Sequence, residues 1–205
     1  LASGEMDSIG IANNHMCHSR MYENEAWGRP RDVERLPNPR GNGFWTQEIY
    51  YHALNAGLRI PPSAGSASGV LPNPVGYNRA YVYVGSAFSY AAWWQGLKAG
   101  RSFVTNGPLL LCRANDQLPG YVFRADGSLP IHLDVEVIAA DRIPAVEIVQ
   151  DGRVEQTIPL DRSDKSRMTT KLTFEQSGWF LVRAVADNSK TFRFASTAPF
   201  YVEIG

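Results

Sequence analysis

From residue 109 onward the chain alternates apolar and polar positions in short runs. A period of two is the signature of half-buried strands, and it predicts strands over 109–114, 121–124, 131–139, 145–150, 154–158, 169–174, 179–186 and 200–204. Within 131–139, His132, Asp134 and Glu136 interleave with Leu133, Val135 and Val137, as in a strand with one wet face. Asp151-Gly152 lies between two β-rich runs and is a hairpin turn signal. About eight short strands separated by turns predict a β-sandwich of immunoglobulin-like architecture. Cys112 is the one cysteine in this stretch, so the disulfide of an antibody-type domain is excluded.

The first half follows a different pattern. Asp7-Ser8-Ile9-Gly10-Ile11-Ala12 predicts a buried strand that runs into a polar turn at Asn13-Asn14-His15. The stretch 23–44 is rich in Pro, Gly, Arg and Asn without periodicity and predicts a long loop. A helix over 45–56 follows from Trp45, Ile49, Ala53 and Ala56 at helical spacing, with Thr46 as cap and Gly57 as stop. Leu58-Arg59-Ile60 predicts a short strand stopped by Pro61-Pro62, and 63–69 a small-residue loop. A strand over 79–84, a helix over 89–99 ended by Gly100, and a strand over 102–105 closed by Asn106-Gly107-Pro108 complete this half. Strand and helix in alternation predict an α/β layer with a largely parallel sheet. The expected organisation is therefore α/β plus all-β, with residues 1–107 as a partial barrel segment and 108–205 as a sandwich.

Composition narrows the function classes. The 205 residues carry 20 Lys+Arg against 20 Asp+Glu, so the net charge is zero and phosphate neutralisation of nucleic acid is not expected. No apolar run approaches the ~18 residues a membrane helix needs. The first residues, Leu1-Ala2-Ser3-Gly4, are neither an initiator methionine nor a signal core, and read as sequence entered in mid-course. Too few strands for a closed sheet in the first half predict an uncovered surface. The expectation is a homo-oligomer through that half, or the 23–44 loop laid across the open side.

Candidate chemistry gathers early in the chain. Asn13-Asn14-His15-Met16-Cys17-His18, followed by Glu23 and Glu25, holds imidazole, thiolate and carboxylate groups able to bind zinc, iron or manganese. The spacing is not that of a zinc finger, and hydrogen-bonded structural histidines are the competing reading. His52 reads as a helix-surface residue and His132 as solvent-exposed. Gly65-Ser66-Ala67-Ser68-Gly69 lacks the central serine of a nucleophile elbow, and neither a P-loop nor a dinucleotide fingerprint occurs. Tyr50-Tyr51 and Trp93-Trp94 could stack on sugars or ring substrates, or pack helices against a sheet.

Four strings together resemble the C-terminal region of PHP-type metal-dependent hydrolases, in the branch related to carbaryl hydrolase. They are Gly10-Ile11-Ala12-Asn13-Asn14-His15, Gly57-Leu58-Arg59-Ile60-Pro61-Pro62-Ser63-Ala64-Gly65-Ser66, Asn73-Pro74-Val75-Gly76-Tyr77-Asn78-Arg79 and Gly100-Arg101-Ser102-Phe103-Val104-Thr105-Asn106-Gly107-Pro108. The segments 178–184 and 197–202 look like the β-rich tail of the same proteins. The resemblance implies a distorted β/α barrel whose divalent metal (zinc, iron or manganese) activates water against a phosphoester, ester or carbamate. It implies His15 as metal ligand and Asn14, Tyr77 and Asn78 as contacts to a small-molecule substrate. Its opening ligand motif is lacking, and Ala67 and Gly69 stand where later ligands belong, so the metal site is expected to be incomplete here. The alternative reading is a non-catalytic ligand- or carbohydrate-binding module on a degenerate scaffold.

Overall fold

The computed structural model describes residues 3–17, 31–69, 73–161 and 164–205. It is mostly β, with 15% helix and 42% strand. Three antiparallel strands, β5 (Leu109–Ala114), β7 (Leu129–Ile138) and β10 (Lys165–Phe174), form one sheet in the order β10-β7-β5. Facing it is a larger sheet built on β11 (Gly178–Val185), with β8 (Ala145–Gln150) and β9 (Arg153–Pro159) on one side. On the other side of β11 run β12 (Phe194–Thr197) and β13 (Phe200–Ile204), and β6 (Val122–Ala125) lies parallel to β13. Two facing sheets with this pairing form an immunoglobulin-like sandwich, as the alternating pattern predicts.

Alternation places the core. Ile131, Leu133, Val135 and Val137 of β7 point inward and are buried, whereas His132 and Asp134 are exposed. The inward residues meet Phe180, Val182 and Ala184 of β11 and Phe200 of β13. Phe180 stacks on Phe200 at 4.9 Å and lies 5.4 Å from Phe174. Each such fully buried side chain contributes roughly 1.5–3 kcal/mol of transfer free energy. The turn between β8 and β9 has φ of 50° at Asp151 and 88° at Gly152, as a two-residue hairpin turn requires.

β11 is buried on both faces, as its near-continuous apolar sequence implies. Trp179, Leu181 and Val185 point away from the sandwich into a second core with α1 (Gly41–Asn55) and β1 (Ile9–Ala12). α1 begins four residues before the expected start, and Arg40 caps it without a side-chain bond. Thr46 instead donates to the Asn42 carbonyl at 2.9 Å, inside the helix. The buried face of α1 is Gly43, Gln47, Tyr50, Tyr51 and Leu54, so of the Trp45/Ile49 stripe expected to pack Ile49 is exposed and Trp45 only half-buried. Tyrosine wins these positions because each hydroxyl finds an acceptor: Tyr50 bonds the Ile60 carbonyl at 2.7 Å and Tyr51 the Gln47 Oε1 at 3.1 Å. Gly43 is required where it stands, since a Cβ there would lie 2.2 Å from the Phe192 ring. Of the expected loop over 23–44, residues 23–30 lie outside the described residues. Residues 31–40 form turns as expected, with buried Arg31 bonding Asn38 Oδ1 at 2.9 Å and the Leu36 carbonyl, and 41–44 are corrected to the first turn of α1.

The partial PHP-like barrel does not form among the described residues, and the resemblance to those hydrolases is overturned. β1 and β2 (Pro62–Ala64) make one parallel pair around α1, a two-stranded sheet by itself. β3 (Arg79–Val82) and β4 (Ser102–Thr105), expected to be parallel across α2 (Tyr90–Lys98), pair antiparallel. The Tyr83 N–H donates to the Arg101 carbonyl at 2.8 Å, so the ladder closes at the base of α2 rather than crossing over. β4 then pairs with β12, which carries the large sheet continuously across residue 107. The string 101–108, the most specific part of the resemblance, has a structural role here. Asn106 is buried and holds residues 192–194 through its Nδ2 to the Phe192 carbonyl and its Oδ1 from the Phe194 N–H, both at 2.8 Å.

Candidate binding site

The residues singled out in the sequence meet where the parallel pair β1–β2 ends. Asn13 Oδ1 accepts from the His15 N–H at 3.0 Å, which tightens the turn into a short 3-10 helix at Asn14–Cys17. Asn78 Nδ2 donates to the Asn13 carbonyl at 2.9 Å and the Gly65 carbonyl at 2.8 Å, and its N–H donates to Ser66 Oγ at 2.9 Å. Asn73 Nδ2 spans the Asn14 and Ser66 carbonyls at 3.2 and 2.8 Å. Asn14, His15 and Asn78 are therefore drawn beside the 63–69 loop, with Tyr77 half-buried next to Asn78. Their amides fasten backbone to backbone, a role with no reacting group. Among the described residues no three His, Cys, Asp or Glu side chains gather as metal ligands. His18, Glu23 and Glu25 lie outside the described residues.

A different surface presents groups to solvent. α2 starts at Ser89, whose Oγ accepts from the Ala92 N–H at 3.0 Å, and it packs on β3 through Gly96 and Leu97. A Cβ at Gly96 would lie 2.5 Å from Val82 Cγ1, so glycine sets how closely the helix lies. That seat turns positions 90, 94 and 98 outward in one line, because side chains four apart stand above one another. Tyr90 is 74% exposed, Trp94 46%, and Phe88 just before the helix 75%. Trp94 is set edge-on between its neighbours, 6.0 Å from the Tyr90 ring and 5.0 Å from that of Trp93. By contrast Tyr50 and Tyr51 are core residues. The pair Trp93-Trp94 thus divides: Trp93 is half-buried and Trp94 faces water. The signal in the sequence was the i, i+4 spacing of Tyr90 and Trp94 on a helix whose other face carries Gly96 and Leu97.

At the C-terminal end of α2 two clefts of about 540 and 180 Å³ adjoin, sharing Ala99, Gly120 and Val122. Arg101, Arg113 and Arg124 line the first, and Arg59 and Lys98 the second. Arg59 and Arg124 share Glu203, bonding Oε1 at 2.5 Å and Oε2 at 2.7 Å, and Arg59 holds its carboxyl below the usual carboxylate range with Arg124 adding to the effect. Arg59 also lies over the Tyr201 ring at 5.1 Å, and burial pushes the Tyr201 hydroxyl up to about 12. Under α1, Arg183 is a buried cation bonded to Glu147. Burial favours loss of its proton, but Tyr51 and Glu147 outweigh it and hold its pKa above the ordinary value.

Comparison with protein-family models and with curated proteins finds no match. Among solved structures, the chain aligns with the CARDB domain of PF1109 from Pyrococcus furiosus at 16% identity and a TM-score of 0.30, covering 48% of this chain and 97% of that one. A crystal structure of that domain is described as a complex with di-metal ions. Fibronectin(III)-like modules of Clostridium thermocellum CbhA align at 17% identity and a TM-score of 0.28, covering 46% of this chain and 98% of theirs. The covered share is about that of the sandwich, and these neighbours are small domains rather than barrel hydrolases. At such TM-scores the reading of the fold rests on strand pairing and not on the likeness.

Proposed function

We propose that this protein is a non-catalytic binding module that holds carbohydrate on the outer face of α2. The observation that carries the reading is the trio Phe88, Tyr90 and Trp94, large aromatic side chains left in water on and just before a helix whose inner face is packed. Exposed aromatic surface of this extent marks a binding site, since each ring can bury roughly 150–250 Å² against a ligand. Ring faces suit the apolar C–H face of a pyranose, and the Tyr hydroxyl and indole N–H can bond its hydroxyls. The amide-stapled loops at Asn73 and Asn78 serve as scaffold.

Isothermal titration of the purified chain against soluble oligosaccharides, neutral (cello-, xylo- and chitohexaose) and acidic (hexagalacturonate), tests this. Binding of at least one, with quenching of tryptophan emission and recovery of the sugar intact, is expected. Trp94→Ala and Tyr90→Ala should each weaken it about tenfold, the loss of about 1.4 kcal/mol of stacking. Absence of binding across the panel by a folded protein overturns the reading, as does cleavage of the bound sugar.

A further inference from the structure

The aromatic line does not end in neutral surface. Tyr90, Trp94 and Lys98 occupy successive turns of one face of α2, so the stripe runs about 12 Å along the helix to its C-terminal end. There it meets the two clefts lined by Arg101, Arg113, Arg124, Arg59 and Lys98, against one lining carboxylate, Asp116. A chain of zero net charge thus concentrates five cations at one place. Their existing partners leave capacity. Glu203 is divided between Arg59 and Arg124, and Lys98 meets Asp7 only in an exposed pair at 3.1 Å. Arg113 donates to the Asp116 carbonyl at 2.8 Å, which orients its guanidinium without neutralising it. The side chain of Arg101 has no carboxylate partner among the described residues. The final carbonyls of α2 are already bonded by the N–H groups of Ala99, Gly100 and Arg101, so their partial negative charge is muted toward an arriving anion.

Resting on the carbohydrate reading above, we infer that the ligand is an acidic saccharide, with sugar rings on Tyr90 and Trp94 and a carboxylate or sulfate ester in the cleft of Arg101, Arg113 and Arg124. Guanidinium groups match both oxyanions in a bidentate fork, so the shared chemistry is a planar or tetrahedral oxyanion borne on a pyranose. A hexasaccharide spans more than the length of the stripe, which lets one ligand reach both parts.

Titration with hexagalacturonate, a sulfated heparin hexasaccharide and neutral cellohexaose at low and physiological salt separates the outcomes. Expected is binding of an acidic oligomer at least about tenfold tighter than cellohexaose, weakening with salt. The double variant R101A/R124A, which leaves Glu203 paired with Arg59, should erase that preference while leaving the melting temperature and any cellohexaose binding unchanged. Which acidic oligomer prevails assigns carboxylate or sulfate ester. Equal binding of neutral and acidic sugars, or a preference that survives R101A/R124A, overturns this inference and leaves the carbohydrate module standing. Acidic binding that is lost in R101A/R124A but indifferent to Trp94→Ala also overturns it, because the two parts would then not share a ligand. Failure of all three sugars to bind overturns this inference, and failure of xylo- and chitohexaose as well removes the module reading itself.

Discussion

Arg183 is the group on which the seating of α1 depends, and its removal has a magnitude that can be worked out. The side chain is 8% exposed on the outer face of β11. Its Nε and Nη2 bond Glu147 Oε2 at 2.8 and 2.7 Å. Its Nη1 bonds Gln47 Oε1 of α1 at 2.7 Å and the Tyr51 hydroxyl oxygen at 3.3 Å, and the guanidinium lies 5.3 Å from the centre of the Phe44 ring. Breaking a buried pair by removing one partner costs 3–5 kcal/mol where the orphaned charge stays dry. Here the Glu147 side chain is 28% exposed and regains water, and Gln47 Oε1 keeps the Tyr51 hydroxyl at 3.1 Å. Both facts put Arg183→Ala at the low end, about 3 kcal/mol of destabilisation. Urea unfolding should show this at an unchanged m-value, with a melting temperature lower by roughly 6–12 °C for a chain of this size. Trp179 adds a local readout, because its Nε1 donates to Asn55 Oδ1 of α1 at 2.8 Å and its emission follows undocking of the helix. The double variant R183M/E147M, which removes both charges and fills the space, should be close to wild type. A cost below about 1 kcal/mol for Arg183→Ala, or an equal loss in the double variant, would refute the reasoning.

Two further outcomes follow from the packing and from burial. Gly43→Ala should destabilise by about 1–3 kcal/mol in urea unfolding, because the new methyl meets Phe192, even though alanine is the better helix former by about 1 kcal/mol. Burial raises the pKa of the Tyr50, Tyr51 and Tyr201 hydroxyls and of the Cys112 thiol, the Tyr201 group to about 12. The folded state therefore holds the proton more tightly than the unfolded state. The Tyr201 contribution is fully present below the ordinary tyrosine value of 10.0 and is lost as pH rises through about 12. The Cys112 contribution begins to be lost above the ordinary thiol value of 9.0, so unfolding midpoints should fall across that range. A flat midpoint from pH 9 to 12 would contradict it.

The sandwich was legible because its strands each bury one face. Period two reported β5, β8 and β13 at their observed bounds, and Asp151-Gly152 marked its hairpin through residues that tolerate positive φ. β12 was missed, since Phe194-Ala195-Ser196-Thr197 is buried on both faces and shows no alternation. The first half misled for a related reason. Strand, helix and strand in succession carry no information on whether the second strand returns parallel or antiparallel. The β3–β4 pairing is decided by a partner, β12, far along the chain. The inward face of α1 was hidden because Tyr50, Tyr51 and Gln47 are amphipathic and become core residues only through acceptors the fold supplies. In the binding face, the aromatic residues could be read but not their direction, which Gly96 sets by its contact with Val82. The arginines of the cleft come from four separate segments and could not be grouped before folding.

The run from Phe194 to Ile204 is in effect one strand broken by Ala198-Pro199, with β4 beside its first part and β6 beside its second. During synthesis both neighbours leave the ribosome long before it does. Asn106 precedes its partner Phe194 by 88 residues, and until that segment emerges the edges of β4 and β6 present unpaired backbone groups. The nascent chain therefore passes through an interval in which its aggregation-prone edges depend on chaperones or on speed of elongation. A late truncation would prolong that interval indefinitely.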